Sequence, residues 1–235
     1  MYVQMPLKMG LRDEASFATF VTEKEALAVA LNSMQAALSQ SSGSAFYLYG
    51  PEGAGKTHLL QASCRYVTEI DRSSVYLPMA DKSLPLIPDV LVGLEQTVLI
   101  CLDEIEHVVG DAKWELALAN LLTKSSVQGH TVILSGQASI NDWKIATQEL
   151  AKALMNVLPV PISPLEEKEE IIAALQRHSS KQGFELPLEV GNFLIKNFSS
   201  DLQELLAVLK LLEQATLVEK RRLTLPFVKQ VLQQM

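Results

Sequence analysis

The chain has 235 residues, 48% of them hydrophobic and 20% charged, which suits a globular protein of one large domain or a core with a small appendage. Its net charge is −7, and its one dense basic cluster is Lys220, Arg221 and Arg222; that argues against direct sequence-specific DNA binding, which calls for a basic face. No apolar run approaches the roughly 18 residues of a membrane span, and MYVQMPLKMG lacks the basic-then-apolar order of a signal peptide.

Residues 1–22 show no periodicity and read as extended. EKEALAVALNSMQAAL, 23–38, reads as a helix with Thr22 as N-cap and Glu25 as its capping-box partner. SQSSGS, 39–44, is a loop. Strands are expected at 45–49, 75–79, 97–103, 130–136 and 157–163. Helices are expected between them, at about 56–70, 114–124 and 142–154. TVLICLD, 97–103, is apolar almost throughout, as in a strand covered on both faces. VLPVPIS, 157–163, carries Pro159 and Pro161 at alternate positions. Both lack an N–H on the same side, so this strand belongs at a sheet edge. Strands alternating with helices imply a parallel sheet between helical layers, an α/β fold.

Beyond Pro164 no strand is evident. Helices are expected at about 166–181, 187–198, 201–220 and 225–234, with Pro187 in a first turn and Ser200 with Gln203 as a capping box. The division that follows is an extended segment, 1–22, an α/β core, 23–164, and a helical lid, 165–235. Cys64 and Cys101 lie in apolar stretches and read as buried free thiols. The cytoplasm is the expected location. The four histidines show no ligand spacing, so no zinc site is expected.

Chemistry concentrates after the first strand. GPEGAGKT, 50–57, fits G-x-x-x-x-G-K-[ST] in full. Gly50, Pro51, Glu52, Gly53, Ala54 and Gly55 would wrap phosphates with backbone N–H groups, and the following helix adds its positive end. Lys56 supplies a point charge, Thr57 a hydroxyl for Mg²⁺, and His58 completes the candidate nucleotide contacts. In VLICLDEIE, 98–106, Asp103 ends a buried strand and is the second metal candidate; Glu104 could polarise an attacking water. The alternative is a pair of acids that only cap the next helix. Ser135, ending the fourth strand, is a catalytic candidate or a turn residue.

A P-loop, an Asp-Glu pair, a polar residue ending strand four and a helical lid together resemble an AAA+ ATPase. QMPLKMGLRDEASFATF near the start, GFELPLEVGNFLIKNF at 183–198 and RRLTLPFVKQVL near the end narrow the resemblance. Over essentially its whole length the chain is similar to the Hda family, DnaA-related regulators that limit re-initiation of bacterial replication. The resemblance implies ADP or ATP with Mg²⁺ as cofactors, DnaA as a partner, and an N-terminal peptide that docks on the polymerase sliding clamp. The matching clamp residues are Gln4, Met5, Leu7 and Met9. An amide in a polar pocket and unbranched apolar side chains in a greasy one make this physically reasonable. The departures are Met5 for leucine, Pro6 in the variable place and Lys8 for proline. A homodimer stays open.

Two arginines of the family pattern are missing. LAKAL, 150–154, puts Ala153 at the arginine-finger position with Lys152 beside it, and Gln203 stands at the lid-arginine position. No arginine occurs between Arg72 and Arg177. An arginine finger is worth about 10³–10⁵ in rate, and lysine lacks its planar fork. Gln203 has a sufficient capping role, and Arg177 could reach the site from the lid. The expected function is a clamp- and DnaA-binding regulator. The alternatives are a nucleotide-holding adaptor that promotes no hydrolysis, and a stand-alone P-loop ATPase. Enzymatic activity stays open.

Overall fold

The computed structural model describes residues 15–40 and 42–233; the clamp-peptide candidates Gln4, Met5, Leu7 and Met9 lie outside them. Five parallel strands form one sheet: β1 (Ala45–Tyr49), β2 (Ser74–Pro78), β3 (Leu99–Asp103), β4 (Thr131–Gly136) and β5 (Val157–Pro161), in the order β2-β3-β4-β1-β5. The interior strand β3 shows why the apolar run is continuous. Ile100 and Leu102 point into one core, which is filled by α3 (Ala112–Val127) and α4 (Gln148–Leu154). Leu99 and Cys101 point into the other, filled by α1 (Glu25–Gln40) and α2 (Lys56–Glu69). Each strand residue thus meets a helix on one side or the other. Cys64 and Cys101 are buried and free.

β5 is at the edge, as its prolines predict. Ile162 N donates to Tyr49 O at 2.7 Å, so the even-numbered residues turn their backbone groups toward β1. Pro159 and Pro161 therefore put their missing N–H on the open side.

The remaining helices are α5 (Lys168–Lys181), α6 (Leu188–Asn197), α7 (Leu202–Glu219) and α8 (Leu225–Gln233). They bury a third core around Leu175, Val190, Leu194, Leu209 and Phe227. Among the described residues no helix is long and apolar enough to cross a membrane.

Three local expectations are corrected. α1 begins at Glu25, and the Thr22 hydroxyl accepts from Lys24 N at 3.1 Å, ahead of the helix rather than in a capping box. α7 is capped by Asp201, which accepts from Gln203 N and Glu204 N; a carboxylate beside a serine is the stronger acceptor for two N–H groups. The helix expected at 142–154 forms only from Gln148. The reason is Glu115, a buried carboxylate on α3 that accepts from Gly110 N, Ala146 N and both the N–H and the hydroxyl of Thr147. Those N–H groups are satisfied by a side chain, so the backbone there need not be helical.

Candidate functional site

The loop between β1 and α2 is built on close approach. A Cβ on Gly50 would stand 1.9 Å from the Ile162 carbonyl oxygen, so only glycine lets the end of β5 pass the loop. Gly55, at φ 94°, caps α2, and a Cβ there would meet the Phe20 ring at 2.9 Å. The helix then begins at Lys56, with its first N–H groups directed at the hollow of the loop. Lys56 is 9% exposed, and its Nζ donates to the Gly50 and Pro51 carbonyls at 2.7 Å each. Burial lowers its pKa; the charges of Glu106, Asp103, Glu104 and Glu52 oppose that shift, Glu106 most strongly.

Asp103 ends β3 at 2% exposure. Its Oδ2 accepts from the Thr57 hydroxyl and from the Tyr76 hydroxyl, both at 2.7 Å, and its Oδ1 from the Ser135 hydroxyl. The Thr57 hydroxyl and the Asp103 carboxylate thus converge on one point, an all-oxygen pair that fits a small hard cation such as Mg²⁺. Glu104 follows in the left-handed region at φ 58°, and its N–H donates to Ser135 Oγ at 3.1 Å. Burial raises the Glu104 pKa, and Asp103 and Glu106 add to the effect. Ser135 is fully buried and is not among the residues lining the cavity. Its hydroxyl donates to the Asp103 carboxylate and accepts from the Glu104 N–H.

These groups open onto a cavity of about 520 Å³ between the P-loop, the lid and residues 19–21, a size suited to a small-molecule ligand. Glu52, Gly53, Ala54, Gly55, Lys56, Thr57, His58, Asp103 and Glu104 all line it, and from the lid so does Gln203. Gly50 and Pro51 contribute instead the carbonyls that hold Lys56. No arginine is among the described lining residues. Arg177 is engaged elsewhere, with Nη1 donating to Phe20 O at 2.9 Å. Ala153 packs against the core beneath α3 and α4. Tyr76, Glu106 and the lid's His178 had no sequence motif to mark them; the DEIE run was the only available signal, for Glu106.

The segment before α1 straps the lid to the P-loop helix. Ser16 O and the Thr19 hydroxyl lie 2.9 and 3.2 Å from His58 Nε2. The His58 ring meets that of His178 on α5 edge-on, with centroids 5.8 Å apart. Burial, then His58, then Lys181 push the His178 pKa down to about 4. An unfolded histidine takes its proton near pH 6.5, the folded one only near 4, so stability falls as pH drops between those values. The loss should approach about 3 kcal/mol by pH 4. Chemical denaturation from pH 7 to 4 checks it: His178→Gln should show a flatter profile than the wild type.

Known structures share the fold. Domain III of the replication initiation protein DnaA from Thermotoga maritima superposes with a TM-score of 0.69 at 18% identity, covering 95% of this chain and 97% of that one. AMPPCP-bound DnaA from Aquifex aeolicus gives 0.66 at 18% identity, covering 87% and 66%. The RuvB Holliday junction branch migration motor from Thermotoga maritima gives 0.65 at 15% identity, covering 95% and 72%. The fold is that of the AAA+ proteins. Residues 167–232 match the family described as Hda, lid domain. The chain thus shares the fold of DnaA domain III, and over residues 167–232 it matches the Hda lid-domain family.

Proposed function

We propose that this protein is an Hda-like regulator of replication initiation, acting in the cytoplasm. It holds ADP or ATP with Mg²⁺ in the P-loop cavity, docks on the sliding clamp and acts on DnaA. In this reading 23–164 is the nucleotide-binding core and 165–235 the lid. The observation that carries it is the combination of an Hda lid match at 167–232 with a DnaA-like core whose P-loop, Thr57 and Asp103 converge on one cavity. Gly50 to His58 form the phosphate site, Gly50 and Pro51 by seating Lys56; Thr57 and Asp103 hold the metal, and Glu104 is the group proposed to polarise a water. Ser135 enters as the residue that orients Asp103 and Glu104.

Gln4, Met5, Leu7 and Met9 are the clamp contacts in this proposal. Deleting residues 1–9 should abolish capture on immobilised clamp while nucleotide binding is kept. Undiminished capture overturns the assignment.

One observation favours a second reading, an adaptor that promotes no hydrolysis. The cavity's described lining holds no arginine, with Gln203 on the lid, and the family resemblance puts Ala153 at the finger position. Turnover of DnaA-bound ATP, measured with clamp-loaded DNA, separates the two. Strong stimulation rules out the adaptor; weak stimulation raised by Ala153→Arg would identify the missing group.

A further inference from the structure

Glu106 sits on the 3-10 turn Ile105–His107 that follows Glu104. Both its carboxylate oxygens are closed off from solvent, and neither accepts a hydrogen bond. The residue lines the nucleotide cavity. A Cβ on Gly136 would lie 2.8 Å from Glu106 Oε2, so the carboxylate rests against the end of β4. The nearby Tyr47 hydroxyl is committed to Ala138 O at 2.6 Å, and Lys56 Nζ directs two of its three N–H donors to the loop carbonyls.

A buried carboxylate with no donor is costly and calls for one. Asp103 already accepts from three hydroxyls. Mg²⁺ keeps several of its waters when it binds beside a carboxylate and phosphates, and each of those waters has protons to donate. Glu106 also adds negative charge to a cavity that must take an anion, next to Glu52, Asp103 and Glu104 and with Lys56 as the only lysine among the described lining residues.

We infer that Glu106 is an outer-sphere acceptor for the hydrated divalent cation, and that it makes nucleotide binding depend on that cation. Without the cation the carboxylate repels the phosphates beside Lys56. With it, the carboxylate gains its donors and the repulsion is cancelled. This rests on the reading of the cavity as a nucleotide site.

The test is titration of the full chain with a fluorescent ADP analogue, in magnesium chloride and in EDTA, for the wild type, Glu106→Gln and Glu106→Ala. Thermal melts establish that each is folded. Wild-type affinity should drop about 100-fold in EDTA and that of Glu106→Gln only about tenfold, chiefly because the variant holds the metal-free nucleotide better. Glu106→Ala carries the same comparison if the glutamine variant does not fold. Equal magnesium-to-EDTA ratios in wild type and variant overturn the inference. A wild type that binds no nucleotide in magnesium overturns the nucleotide reading, and the inference with it.

Discussion

Lys56→Ala should weaken nucleotide affinity at least about 100-fold, or about 2.7 kcal/mol, with the fold intact. The ammonium is buried at the root of the loop and held by two carbonyls. It faces a cavity whose other fixed side-chain charges include Glu52, Asp103, Glu104 and Glu106. Removing the one lysine leaves that negative field unopposed, and a phosphate chain would meet it directly. The loss should be larger than for an exposed lysine, because a shielded charge interaction is screened little by salt. Calorimetric titration with ADP in magnesium measures it, and circular dichroism confirms that the fold is retained. An affinity within threefold of wild type would contradict the proposal that the cavity holds the phosphates.

The second large effect lies away from the cavity. Glu115→Ala should destabilise the protein by about 4 kcal/mol, because several N–H groups lose a charged acceptor at once. A drop of about 10 °C in melting temperature corresponds to that figure for a domain of this size. Glu115→Gln keeps one acceptor oxygen and turns donors toward N–H groups, so it should recover only part of the loss. The pH dependence follows from the same contacts. Burial would raise the Glu115 pKa, but the bonds from Ala146, Gly110 and Thr147 together outweigh it and hold the pKa below the ordinary value. A depressed carboxyl pKa gives stability that is complete above about pH 4.3 and is lost as pH falls through the folded value. The alanine variant should therefore lose less than the wild type between pH 5 and pH 3.

The strands were legible because their signals are local: β3 by its apolar run, β5 by its alternate prolines, β1 by the glycine loop that ends it. The P-loop was legible for the same reason, since phosphate wrapping needs glycine at positions close in sequence. What could not be read depends on residues far apart. The unwound stretch before α4 is set by Glu115, about thirty residues earlier in the chain. Ser135 turns to Asp103 because neighbouring strands place the two side by side, which no spacing announces. Tyr76 reads as an ordinary strand aromatic until pairing of β2 with β3 brings its hydroxyl to the same carboxylate. Asp201 and Ser200 are both good caps, and only the path of the chain into α7 decides between them.

The prolines of β5 also limit how this protein can assemble. A row of backbone groups lacking the N–H of two alternate residues cannot take up another strand in continuous register. Growth of the sheet across subunits stops at that border. A copy of the chain, or any other protein, that approaches this end must be held by side chains. Met155 and Leu158 are the large apolar groups exposed there. Assembly through this face would thus resemble helix and loop packing, open to reversal, rather than the strand-by-strand accretion that locks proteins into fibres.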